Sequence, residues 1–256
     1  MTEQQSDLQV AKHMFRVGVI IPVYGEDDSI SWVLSRFKKG SVDTICLVVD
    51  VPLKRGMEKI REAARQTGIT VHIIKNGQRT GVGSSIRQGL AYLSETIHDI
   101  VVIMAGNGKD DPAEINRLLG PIVNGEFDYA QGSRYQPGGK RSRMPLVRAV
   151  FNRLYPLVWT VLTERKCTDV TNGFRCFRFG ILKDNRINLN QNWLDGYSLE
   201  YYLHYKVLTL NYRVTEVPVS KTYPFGNRGG YSKIQPLKDW WSVTSPLILL
   251  SLGVRR

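Results

Sequence analysis

Val101-Val102-Ile103-Met104-Ala105-Gly106-Asn107-Gly108-Lys109-Asp110-Asp111-Pro112 decides how this 256-residue chain is read. A short apolar run stops abruptly, a small polar loop with two glycines follows, and Pro112 is well suited to open a helix. A buried strand leading through such a loop into a helix is the repeating unit of an open α/β sheet. In such a sheet, ligands bind just outside the carboxyl ends of the strands. The loop carries a cation, Lys109, and an amide, Asn107, where many nucleotide enzymes place metal-binding carboxylates.

The same unit recurs upstream. Residues 16–24 form a continuous apolar run closed by Gly25-Glu26-Asp27-Asp28, as expected of a fully buried parallel strand. Ile30, Val33, Leu34 and Phe37 then share one helical face, with Asp28 or Ser29 available as cap. Residues 44–49 read as a second strand with Asp50 at its end, 57–67 as an amphipathic helix and 70–74 as a third strand. A glycine-rich loop, 75–85, leads into a helix over 84–93, and 100–104 is the fourth strand. Four strands alternating with helices predict an α/β fold whose mostly parallel sheet is covered by helices on both faces. Downstream the pattern is less regular. Strands are expected at 128–134 and 213–219, a mobile basic loop at 137–143, a long apolar helix at 146–162, a turn entering a strand at 168–175 and an aromatic-rich helix at 197–208. There is no internal repeat.

The formal charge of +12 favours an anionic partner, whether an acidic membrane face or phosphorylated small molecules. The basic residues are dispersed and no recognition module is present, so nucleic acid is excluded as the reading. Cys46, Cys167 and Cys176 are odd in number and lack C-x-x-C spacing, and the four histidines lack ligand spacing. A disulfide framework and a zinc site are therefore not expected, and a reducing, cytoplasmic setting fits. No apolar run approaches the roughly 20 residues that span a bilayer. Residues 1–15 read as a flexible leader and 16–238 as one domain. Residues 239–256 form an apolar, aromatic tail that suits either a membrane interface or packing against protein. A dinucleotide fingerprint fails, because Gly81-x-Gly83 follows the third strand and is followed by Ile86 where a small residue is required. A Walker loop fails too, because Asp110 follows Gly108-Lys109.

Seven motifs in one order carry a stronger signal. They are Ile21-Pro22-Val23-Tyr24-Gly25-Glu26; Asp50; Arg79-Thr80-Gly81-Val82-Gly83; the strand ending at Met104; Gly132-Ser133-Arg134-Tyr135; Asp169-x-x-Asn172-Gly173-Phe174; and Arg228-x-x-Tyr231-Ser232-Lys233-Ile234. Over roughly residues 17–238 the chain resembles the family-2 inverting glycosyltransferases of the GT-A fold. Within them it looks most like the branch of dolichyl-phosphate mannose synthase and its bacterial polyprenyl-phosphate relatives. The resemblance implies that Pro22, Tyr24, Glu26 and Asp50 hold the base and ribose of a nucleotide sugar, and that Arg79 and Gly81 let the backbone approach it. It further implies that Arg134, Arg148, Arg228, Ser232 and Lys233 contact acceptor and donor phosphates.

Two departures bear on mechanism. Asp50 is followed by Val51-Pro52 instead of the family's Asp-Gly-Ser. The family's metal-binding Asp-x-Asp falls on Ala105-Gly106-Asn107, and a nearby oxygen-bearing position falls on Lys109. A neutral Asn107 is a poor ligand for a hard cation. Lys109 is accordingly expected to supply a fixed positive charge with no metal cofactor, Asn107 and Arg134 acting beside it. Mg²⁺ or Mn²⁺ bound through Asp110 and Asp111 is the alternative. A polyprenyl phosphate or lipid-linked glycan at the membrane surface is the expected acceptor. Two other readings stay open: a soluble sugar-to-sugar transferase with Asp169, Asp195 or Glu200 as base, and an inactive nucleotide-sugar-binding homologue. The nucleotide base, the sugar and the oligomeric state are not legible.

Overall fold

Strand β1 (Val17–Val23) is the hub of the sheet. The computed structural model describes residues 14–25, 27–50, 57–142, 144, 146–222 and 240–255. Glu26, Arg228, Ser232, Lys233 and most of the expected leader lie outside the described residues. From β1 the chain builds outward through α1 (Asp27–Ser35), β2 (Thr44–Val49), α2 (Met57–Thr67) and β3 (Thr70–Lys75), each strand parallel to the last. Helix α3 (Val82–Glu95) then carries the chain back across the sheet to β4 (Ile100–Ile103), which pairs with the other edge of β1. After α4 (Ile115–Val123) come β5 (Tyr129–Ser133), the short β6 (Lys140–Ser142) and α5 (Leu146–Thr163). Next are β7 (Arg175–Arg178), α6 (Ser198–Thr209), β8 (Val214–Pro218), β9 (Ser220–Thr222) and α7 (Trp240–Ser251). The strand order is β3-β2-β1-β4-β7-β5-β8, with β6 and β9 forming a separate parallel pair.

Period-two alternation assigns the two faces. Val17, Val19, Ile21 and Val23 pack with Ile30, Val33 and Leu34 of α1, Ile60 of α2 and Leu118 and Ile122 of α4. Ile20 of the same strand packs on the opposite face with Ile86, Leu90 and Leu93 of α3 and Leu199 and Leu203 of α6. A strand buried on both sides has no polar face to offer, which is why β1, β2 and β4 read as unbroken apolar runs. Each fully buried aliphatic side chain contributes about 1.5–3 kcal/mol over its exposed state. Phe15, assigned to the leader from sequence, already packs on the first of these cores.

Strand β7 runs antiparallel between β4 and β5, which the sequence pattern does not announce. Its direction matters, because the start of β7 then lies at the same end of the sheet as the carboxyl ends of β1, β4 and β5. Residues 171–174 are thereby delivered to the place where the strand order reverses. A third core joins α5, α6 and α7 through Tyr155, Trp159, Tyr201, Val243 and Leu247. Among the described residues no helix is long and apolar enough to cross a membrane.

Candidate active site

The chain leaves β1 toward β2 on one side and returns to β4 on the other, so the carboxyl ends of β1 and β4 open a crevice at a topological switch point. A cavity of about 350 Å³ occupies that crevice. Its walls bring together Pro22, Tyr24, Asp50, Arg79, Gly81, Asn107, Lys109, Arg134 and Arg148, residues that lie far apart in sequence. Among the described residues, five cationic side chains line it against two carboxylates, Asp50 and Glu200, a balance that favours an anion.

Asp50 is buried and both its oxygens are engaged. Oδ1 accepts from Thr80 Oγ1 at 2.6 Å, Asn76 Nδ2 at 3.0 Å and Ser85 Oγ at 3.0 Å, and Oδ2 from the amides of Thr80 at 3.0 Å and Gly81 at 2.9 Å. Burial alone would raise its pKa, but the hydrogen bonds from Thr80, Asn76, Gly81 and Ser85 outweigh it, and the carboxyl is held below the usual Asp range. Its evident task is to hold the loop 79–81 against the pocket. That loop also explains its glycines. Gly81 has a φ of +96°, and a Cβ on Gly83 would lie 1.8 Å from the Leu194 carbonyl. The second and third amides of α3, Gly83 and Ser84, both donate to the Asp195 carbonyl, at 2.8 and 3.1 Å. The close approach these glycines permit is therefore to residues 194–196 of the chain itself. Arg79 reaches over the Tyr24 ring at the rim, 4.7 Å from its centroid.

The loop after β4 has a different chemistry. The side-chain oxygen of Asn107 accepts the Lys109 amide at 3.2 Å, and the Lys109 carbonyl accepts the Thr222 amide at 3.2 Å, tying the loop to β9. Asp110 is fully buried, its Oδ1 2.8 Å from Lys221 Nζ and its Oδ2 accepting the Ala105 amide at 3.1 Å. Asp111 caps the turn at Ala113 and pairs with Arg36. Asp110 and Asp111 are thus engaged by two different cations, and the oxygen of Asn107 by backbone. Among the described residues no group of three or more His, Cys, Asp or Glu side chains converges on one point. With Asp110 and Asp111 engaged elsewhere and neither lining the crevice, this donor set does not fit a hard divalent cation, which takes at least one carboxylate oxygen beside its waters and phosphates.

Arg134 is buried against Asp169 in a two-point pair, Nε to Oδ2 at 2.6 Å and Nη2 to Oδ1 at 2.7 Å, and also donates to Thr171 Oγ1. The Asp169 carboxylate is consumed by this arrangement. Asp195, expected as a base, is ion-paired with Arg87, and the cavity wall at that point is formed by Gly196 and Tyr197 instead. Glu200 does line the cavity; its Oε1 lies 3.4 Å from the buried Arg175 guanidinium. Arg148 enters from the first turn of α5.

Sequence reading missed Lys221, Thr171 and Tyr197. For Lys221 a signal existed: Val217 and Val219 are buried, and period two carries their inward face to Lys221. The three cysteines are buried free thiols, and burial pushes Cys46 and Cys167 up to about 12, so they are unreactive.

Known proteins resemble this chain in sequence and in fold. The family model "Glycosyl transferase family 2" matches residues 18–186. The undecaprenyl-phosphate mannosyltransferase of Micrococcus luteus is 27% identical over 205 residues, 80% of this chain and 83% of that one. The polyprenol monophosphomannose synthase of Mycolicibacterium smegmatis is 28% identical over 208 residues, 81% of this chain and 77% of its own. Among solved structures, glucosyl-3-phosphoglycerate synthase from Mycobacterium tuberculosis, in complex with Mg²⁺ and uridine diphosphate, superposes with a TM-score of 0.66. It covers 98% of this chain and 84% of that one at 18% identity, a likeness of fold. The GT-A fold expected from the motifs is the fold observed. With its family model matched over more than half its length, the chain belongs to glycosyl transferase family 2 and is a glycosyltransferase.

Proposed function

We propose that the protein transfers a sugar, with inversion, from a nucleotide sugar to a polyprenyl phosphate at a membrane surface, using Lys109 where relatives use a metal. The observation that carries this reading is the loop 105–109, which brings a lysine and an amide, and no carboxylate, to the crevice between β1 and β4. The names of the Micrococcus and Mycolicibacterium relatives support the acceptor class.

The acceptor phosphate is ionised near neutral pH, so its oxygen can attack the anomeric carbon without a general base. The bond from that carbon to the diphosphate breaks on the opposite face, its electron pair leaving with the nucleoside diphosphate. Negative charge grows on the leaving group, and a fixed ammonium in a low-dielectric wall stabilises it without reorganisation. Arg148 has the fork geometry that suits phosphate oxygens, whereas Arg134 gives its Nε–Nη2 edge to Asp169.

Helix α5 supports the membrane setting. Arg148 lines the cavity, while Leu146, Val150, Leu154, Leu157 and Val161 are exposed along one face, Leu146 at 79% and Val161 at 75%. The helix has no acidic residue, and Trp241 and Leu252 of the neighbouring tail are also exposed. A basic helix with an outward apolar stripe suits an interface with anionic lipid.

A sugar-hydroxyl acceptor is the second reading, and Glu200 in the cavity wall is the observation behind it. The two separate in one assay with a panel of nucleotide sugars, offering polyprenyl phosphate in anionic vesicles or free oligosaccharides as acceptor. The proposal expects an inverted polyprenyl-phosphate sugar as product; transfer only to oligosaccharide contradicts it. Vesicle binding is expected to fall in Leu154→Ser/Val161→Ser.

A further inference from the structure

We propose that Lys221 is a second fixed cation of the pocket, holding a phosphoryl oxygen of the donor's diphosphate alongside Lys109. This rests on the nucleotide-sugar reading above. Lys221 is 8% exposed, in a residue type that is seldom buried unless paired, and it forms part of the cavity wall. Its ammonium donates to Asp110 Oδ1 and to Asn172 Oδ1, both at 2.8 Å. An ammonium carries three N–H groups and accepts nothing, so one donor remains beyond these two. A buried donor left unmet costs free energy, and an oxygen in the pocket would meet it.

The surroundings fix the ammonium in that place. The Thr222 amide, next along from Lys221, bonds the Lys109 carbonyl, so both lysines are carried by directly linked backbone. Asp110 is pinned by Ala105 on its far oxygen, and Asn172 by its donation to the Gly132 carbonyl at 3.0 Å. The two acceptors therefore orient the ammonium as rigid supports. Lys221 adds a phosphate contact without being a general base, and it acts at the ground state of donor binding as well as on the leaving group.

Calorimetry on Lys221→Met and Asp110→Asn, beside wild type, tests this with inorganic pyrophosphate, uridine and guanosine diphosphates and the two free nucleosides. Folding of each variant is checked by thermal melting. Lys221→Met is expected to weaken pyrophosphate and nucleoside diphosphate by about tenfold or more, as for loss of a charge-assisted hydrogen bond, while nucleoside affinity holds. Asp110→Asn keeps an oxygen for Ala105 but removes the counter-charge, and is expected to tighten pyrophosphate. A folded Lys221→Met with unchanged pyrophosphate affinity overturns the inference. So does Asp110→Asn weakening it, the result of a purely structural ion pair. If Lys221→Met does not fold, Asp110→Asn decides alone: tightening supports the role, and no change overturns it. Lys221-dependent pyrophosphate binding without sugar transfer removes only the transfer reading, and wild type that binds no phosphate compound removes both.

Discussion

Asp50, at the end of β2, and Asp110, just beyond the end of β4, are both buried carboxylates flanking the end of β1. Asp50 is satisfied by five neutral donors and keeps its charge. Asp110 meets one amide and one ammonium, so its charge is cancelled where it stands. The two corners of one pocket therefore differ in how their carboxylates are met. On the β2 side a carboxylate orders the loop 79–81. On the β4 side every carboxylate in the loop is matched by a cation, and Lys109 is added. On the proposed function, the nucleoside belongs to the first corner and the diphosphate to the second.

The asymmetry can be broken from either side. The largest effect on stability is expected at a third buried carboxylate, Asp169, which behaves like Asp110. Asp169→Ala deprives the buried Arg134 guanidinium of its carboxylate, which costs about 3–5 kcal/mol. Chemical denaturation measures it, and a loss under 1 kcal/mol would show that Arg134 finds other acceptors.

At the neutral-donor corner, Asp50→Asn turns an amide NH2 toward donors that now lack acceptors, and about 2–3 kcal/mol of stability is expected to go. The pH dependence gives the sign. Because the folded pKa of Asp50 is depressed, its contribution is present above the ordinary Asp value and is lost as pH falls through the folded one. The stability gap between wild type and Asp50→Asn should therefore narrow below about pH 4. A gap that stays constant on acidification would mean the carboxylate charge is not what the loop uses.

The smallest effect is expected at Glu200. With an ionised phosphate acceptor, Glu200→Gln should lower kcat by less than about tenfold, whereas a sugar-hydroxyl acceptor that needs a base should lose about 10²–10⁴. Steady-state kinetics with saturating acceptor separates the two.

Much of this was legible before any coordinates. Strands β1, β2 and β4 are buried on both faces and so announce themselves as apolar runs, and the order of motifs collected the residues of one pocket. The antiparallel β7 was not legible. Its four residues, Arg175-Cys176-Phe177-Arg178, hold a buried arginine whose guanidinium is met by the Tyr129 hydroxyl and by the Asn172 and Glu200 carbonyls. Such long-range pairing leaves no local pattern. The position of Asp50 was readable but its partners were not, because they come from a loop that folds back 30 residues later. Asp195 looked like a free carboxylate in sequence, and only the fold shows it beside Arg87.

Whether Lys109 stands in for a metal is read from the rate of sugar transfer in excess chelator. Wild type is measured with and without added Mg²⁺ or Mn²⁺, beside Lys109→Ala. Chelator is expected to change the wild-type rate by less than about twofold, while Lys109→Ala loses about 10²–10³, the usual scale for removing one electrostatic donor from a developing charge. Wild-type transfer abolished by chelator, or Lys109→Ala as fast as wild type, would contradict that role for Lys109.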